Sequence, residues 1–144
     1  MLSFKQFISE DLDDYNSGHR APNRESDAPL HDLTANGIYP DNIYSDKATH
    51  LYKSGIGISH DTASINIINK VRNKPESMVD VYRAVPKHAP DTINNGDWIT
   101  LHKPYAEMHG KSVLKDYKII HEKHPAKHIY TDGNSIHEFG LDKG

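Results

Sequence analysis

Apolar positions in this chain recur at helical intervals mainly in the first half and in short strand-like runs mainly in the second. Leu2, Phe4, Phe7 and Ile8 fall near a helical spacing and set residues 1–10 apart as a unit. The acidic stretch Asp11-Leu12-Asp13-Asp14 follows, and few apolar residues occur before Asp27, so 11–27 reads as a flexible acidic linker. Large apolar residues return at Leu30. Between Pro29 and Tyr44, proline, glycine and asparagine argue against regular structure, while the apolar residues and two tyrosines argue for packing. A short helix is expected over 46–52, broken by Gly55 and Gly57. The clearest helix is expected over 62–72. Ile65, Ile68 and Val71 share one face there, Asp61 or Ser59 can cap the start, and Asn73-Lys74-Pro75 ends it.

The second half predicts strands. Residues 78–85 are rich in strand formers, 98–101 form a second run, and a short helix with Pro104 near its first turn is expected over 103–109. Further strands are expected at 117–120, 127–130 and 135–141, with a turn at Thr131-Asp132-Gly133-Asn134 before the last. The order gives an α+β class without alternating βαβ units. The sequence has no Gly-x-Gly-x-x-Gly, which argues against a Rossmann cofactor site.

Composition narrows the partners. A chain of 144 residues fits one domain with a real core, here expected over 28–144. The 17 basic and 20 acidic residues leave no basic stripe, which argues against a general nucleic-acid binder. The chain has no cysteine, so thiolate chemistry and disulfides are excluded. No apolar run approaches a membrane span. The eleven histidines raise a metal site, with His121, His124 and His128 at ligand-like spacing. A spacing of three on a strand, however, turns His121 and His124 to opposite faces, and no His-Glu-x-x-His occurs, so no metal is expected.

Three residues stand out by order and position. Arg83, in Tyr82-Arg83-Ala84, closes the first predicted strand of the second half. Thr100 closes the next, and Glu138 lies in the last. With these in place, 81–139 resembles small ADP-ribosyltransferases of the arginine, serine/threonine, glutamate class. The resemblance covers roughly the C-terminal half in three short pieces. It implies a split, mainly antiparallel sheet with helices packed on it, and NAD as a substrate. Arg83 would anchor the NAD phosphates, since a guanidinium fork holds two oxygens and keeps its charge at any working pH. Glu138 would be catalytic, stabilising the oxocarbenium-like ribose left when nicotinamide departs. Thr100 would hold Glu138 or the ribose, Tyr105 would stack on the nicotinamide, and Tyr82 would flank the cofactor site. The loop Tyr130, Thr131, Asp132, Gly133 and Asn134 would read the acceptor. The 29–44 segment would close over the adenine as a lid, or simply cover the sheet.

Two departures limit the carry-over. Only Thr100 represents the family's serine-threonine-serine triplet, with His102 where a second serine would stand. Ile136 stands where arginine-modifying members carry a second glutamate. The acceptor is therefore open: a protein side chain, a nucleic acid, or water, as in an NAD glycohydrolase. A non-enzymatic virion or host-binding protein that keeps the fold is the further alternative. Taken singly, Arg83 also reads as a surface ion-pair residue, Thr100 as an ordinary strand residue and Tyr105 as core.

Residues 1–10 also carry a resemblance. Met1-Leu2-Ser3-Phe4-Lys5-Gln6-Phe7-Ile8-Ser9-Glu10 is similar to the capsid-targeting peptides of internal head proteins of T-even-type bacteriophages. Those end in Leu/Ile-x-Glu, where the prohead protease cuts, and Ile8-Ser9-Glu10 matches. The resemblance implies packaging in the virion interior, cleavage after Glu10, and delivery to the host cytoplasm. An ordinary N-terminal helix packing on the domain is the alternative.

Overall fold

The computed structural model describes residues 21–144. The peptide expected at 1–10 and residues 11–20 of the expected linker lie outside the described residues. The class is α+β, with two antiparallel sheets and few helices. The first sheet has the order β1-β5-β6-β3, formed by Ala28–Pro29 (β1), Ile129–Thr131 (β5), Phe139–Leu141 (β6) and Trp98–Ile99 (β3). The second pairs Met78–Pro86 (β2) with Tyr117–Pro125 (β4), from Met78↔Pro125 to Pro86↔Tyr117.

A two-stranded ribbon is marginal alone. Here it is joined to the larger sheet by an antiparallel bridge between Tyr82 and Thr100, whose backbone groups exchange hydrogen bonds of 2.9 and 3.0 Å. Helix α3 (Lys103–Val113) packs on the ribbon with Tyr105, Ala106, His109 and Gly110 buried. Gly110 permits this approach, because a Cβ there would collide with the Tyr117 ring. Helix α1 (Ala48–Leu51) is a single turn leading towards α2 (Ile58–Lys70). Ile65 and Ile68 of α2 and the following Val71 enter the main core beside Val79, Val81, Ile99, Ile120, Ile129 and Phe139. Burying an isoleucine such as Ile68 fully is worth about 1.5–3 kcal/mol.

The differences from expectation are local. The α2 helix starts at Ile58 rather than 62, with Gly57 at φ 131° as its cap residue. Asp61 lies inside the first turn and does not cap it; its carboxylate is buried. The expected strand 135–141 shortens to Phe139–Leu141, because Ser135 Oγ accepts from the His137 amide and turns the chain. Residues 126–128 form a 3-10 turn before β5. The β4 strand runs on to Pro125, beyond the expected 117–120.

The packed chain also reaches further back than 28. Ala21 and Pro22 are buried, Ala21 against Trp98 and Tyr105, and Pro22 against Gly140 of β6. A side chain at residue 140 would run into the Pro22 carbonyl, so only glycine lets this segment lie there. Residues 29–44 cover the core: Leu30, Leu33, Tyr39 and Ile43 are all buried in it.

Candidate functional site

The Tyr82–Thr100 bridge brings the middle of β2 and the residue after β3 against the first turns of α3; Arg83, expected to close its strand, lies inside β2, because the ladder with β4 runs on to Pro86. A small hollow opens where they meet, lined by Tyr82, Arg83, Trp98, Thr100, Tyr105 and His109 among others. Four residues singled out in the sequence, Tyr82, Arg83, Thr100 and Tyr105, thus share one hollow. Glu138 stands behind its wall, 2 % exposed, with Tyr105 Oη donating to Glu138 Oε1 at 2.8 Å.

Arg83 is tied down on one side of the hollow. Its Nη1 donates to the Trp98 carbonyl at 2.9 Å, and its Nε lies 3.9 Å from Asp97 Oδ2. The side chain keeps 14 % exposure. It also borders a second hollow of about 200 Å³ between β2, the 86–97 loop and the end of α3, with Pro86, Thr92, Asn94 and Leu114. The first hollow is far smaller, about 20 Å³, room for roughly one water molecule. Small-molecule sites ordinarily span about 300–1,000 Å³. The smaller hollow is therefore too tight for a nucleotide unless its walls part.

Two assigned roles change. Tyr105 is 2 % exposed, its ring is stacked on His137 (centroids 4.9 Å, planes 18° apart), and its hydroxyl is engaged by Glu138. It is therefore not placed as a platform for nicotinamide. Burial, together with the neighbouring Glu138 charge, pushes its phenol well above the ordinary range. Thr100 Oγ1 accepts from the His102 amide at 3.4 Å, a local bond at the start of α3. Tyr105, not Thr100, makes the bond to Glu138 that was expected of the threonine. Tyr82 stacks its ring on His121, which bonds Asp80 at 2.7 Å.

The expected acceptor loop is shorter than five residues. Tyr130 and Thr131 belong to β5, pairing with Pro29 and Ala28, and Thr131 is fully buried. Asp132, Gly133 and Asn134 make the turn. Gly133 sits at φ 86°, its amide donates to Thr131 Oγ1, and the Asn134 amide donates to Asp132 Oδ1.

A polar chain that sequence reasoning did not find lies next to Glu138. His137 Nε2 is 2.8 Å from Asp61 Oδ1, and His137 Nδ1 is 2.8 Å from Ser64 Oγ. Asp61 is held in turn by Ser54, through Oγ at 2.5 Å and the amide at 3.0 Å. Asp61, Ser64 and His137 are all essentially buried. Burial alone would raise the Asp61 carboxyl; the bonds from Ser54 and His137 outweigh it and hold the group below its usual range. Burial lowers His137, against the pull of Asp61. The pair is a carboxylate beside a neutral imidazole, with the proton on Nε2 and Ser64 donating to Nδ1. Nearby, His60 Nδ1 and His102 Nε2 lie 2.8 Å apart, and burial and then its histidine neighbours lower His102.

One of these features was open to sequence reading. Tyr105 and His109 are four apart on one helix, so both face the hollow. The Asp61–His137 contact spans 76 residues and leaves no sequence signal. His121 and His124 bond Asp80 and Glu122 respectively. Among the described residues, no group of three or more histidine, aspartate or glutamate side chains is disposed to hold a metal ion. Among the same residues, no helix is long and apolar enough to cross a membrane. Comparison of the chain with protein-family profiles, curated proteins and solved structures returns no match.

Proposed function

We propose that this chain is an NAD-dependent mono-ADP-ribosyltransferase that cleaves the nicotinamide–ribose bond and passes ADP-ribose to a macromolecular acceptor. The observation that carries the reading is the shared hollow: Arg83, Thr100 and Tyr82 line it, and Glu138 is bonded to Tyr105 in its wall. Arg83 borders both hollows, so a pyrophosphate held there leaves one nucleoside to each side. Glu138 supplies the fixed carboxylate that an oxocarbenium-like ribose needs. Binding requires the smaller hollow to widen, with Arg83 leaving the Trp98 carbonyl for phosphate oxygens. The proposal includes an ADP-ribosyltransferase-like fold over the C-terminal half. It also includes a bacteriophage origin, cleavage of the 1–10 peptide after Glu10 by a prohead protease, and delivery from the virion into the host.

The capture of Arg83 by Trp98 and Asp97 and the tightness of the hollow favour a second reading, a non-enzymatic virion or host-binding protein. Incubating the chain with adenylate-labelled NAD and host extract separates the two. The transferase reading expects label on a protein or nucleic-acid fraction. Nicotinamide release without transferred label marks an NAD glycohydrolase, and neither signal supports the binding protein.

A further inference from the structure

We propose that Asp61, Ser64 and His137 are positioning residues for Glu138. The inference rests on the reading of Glu138 as the carboxylate of the site. Asp61 and Ser64 are three apart on α2 and so present to one face, where they meet the two nitrogens of a single imidazole. Bonds at both ring nitrogens fix the ring against a flip about its Cβ–Cγ bond. Tyr105, stacked on the ring at 4.9 Å, fixes its tilt. The ring so fixed reaches Glu138 by two routes. One is the peptide bond between 137 and 138. The other is the Tyr105 phenol, whose hydroxyl donates to Glu138 Oε1 at 2.8 Å.

The Asp-His-Ser order resembles a nucleophilic triad, but Ser64 has no exposed surface, so no substrate carbonyl can reach its oxygen. A purely structural role is a poor account as well. An apolar ring would fill the same space without burying a carboxylate, a hydroxyl and an imidazole, each of which must be matched by a hydrogen bond. What the polar chain supplies, and an apolar ring would not, is one fixed ring orientation beneath Tyr105 and Glu138.

Ser64→Ala is the test variant, since alanine is the best helix former and the change removes only the hydroxyl. In the full chain, kcat for nicotinamide release should fall about tenfold while KM for NAD stays within about twofold. Independently of NAD, the carboxyl ¹³C resonance of Glu138 should move by more than those of the exposed Glu25 and Glu76. Asp61→Asn is the second variant. Its amide must present NH₂ either to the Ser54 amide or to His137 Nε2, and the ¹⁵N shifts of His137 should report the proton moving to Nδ1. Wild-type kcat in folded Ser64→Ala, or an unmoved Glu138 resonance, overturns the proposal. If the wild-type chain releases no nicotinamide, the NAD reading fails and the Glu138 resonance alone decides the positioning role.

Discussion

Tyr105→Phe isolates the bond on which the site's geometry turns. Phenylalanine keeps the ring that stacks on His137 and packs with Ala21 and Trp98, and removes only the hydroxyl that donates to Glu138 at 2.8 Å. A hydrogen bond to a charged group contributes about 1.5–3 kcal/mol, against about 0.5–1.5 kcal/mol for a neutral one. For a chain near 150 residues, each kcal/mol moves Tm by about 2–4 °C, so Tyr105→Phe should lower Tm by about 3–12 °C. In a Glu138→Gln background the same change loses a neutral bond, and the expected fall shrinks to about 1–6 °C. The assay is thermal unfolding of the four proteins of this cycle, followed by near-ultraviolet circular dichroism, with nicotinamide release measured on the same samples. Release should fall together with stability, because Glu138 loses a group that holds it. Equal Tm falls in both backgrounds, or a fall below about 1 °C with release unchanged, would refute the coupling between Tyr105 and Glu138.

Three further outcomes follow from the geometry. Arg83→Ala should raise the Kd for NAD by about tenfold or more in calorimetry, and Arg83→Lys should recover little of it, because a point charge replaces a planar fork; full recovery by lysine would contradict a bidentate role. Gly140→Ala should destabilise the chain by about 1–3 kcal/mol in urea unfolding, since the new methyl meets the Pro22 backbone carbonyl and the segment must lift off β6; unchanged stability would mean that residues 21–22 do not lie there. Burial lowers His137 in the folded state, so the unfolded chain binds its proton first as pH falls below about 6.5. Stability should therefore drop from that pH downwards through the folded-state value, and His137→Gln should flatten part of the slope, leaving the same-signed share of His31, His102 and His128; an identical slope in the variant would refute the buried neutral imidazole.

The elements with strong local pattern were legible in the sequence. The Ile65, Ile68, Val71 spacing gave the inner face of α2, and the strand formers after Met78 gave β2, though the strand runs past Arg83 to Pro86 instead of ending there. The failures came where a side chain served a distant partner instead of its own backbone. Asp61 looks like a cap, yet its carboxylate is drawn inward by Ser54 and His137, and Gly57 opens the helix a turn earlier. Strand alternation puts residues 137 and 138 on opposite faces. In the structure both are buried, because 135–138 is a turn closed by Ser135 and only residue 139 onward is extended. The expectation that Tyr82, Arg83, Thr100 and Tyr105 share one site followed from the family resemblance, and Glu138, expected with them, stands behind the wall of their hollow. The size of that hollow did not follow, because it depends on how closely α3 settles on β2, which no local pattern encodes.

Nicotinamide release from NAD, compared between the wild-type chain and Glu138→Gln at matched fold and concentration, bears most directly on the whole account. The wild type should release nicotinamide steadily, and the variant should lose that release by about a hundredfold or more. A wild-type chain that leaves NAD intact in every acceptor mixture, or a Glu138→Gln chain that cleaves it at the wild-type rate, would contradict the account.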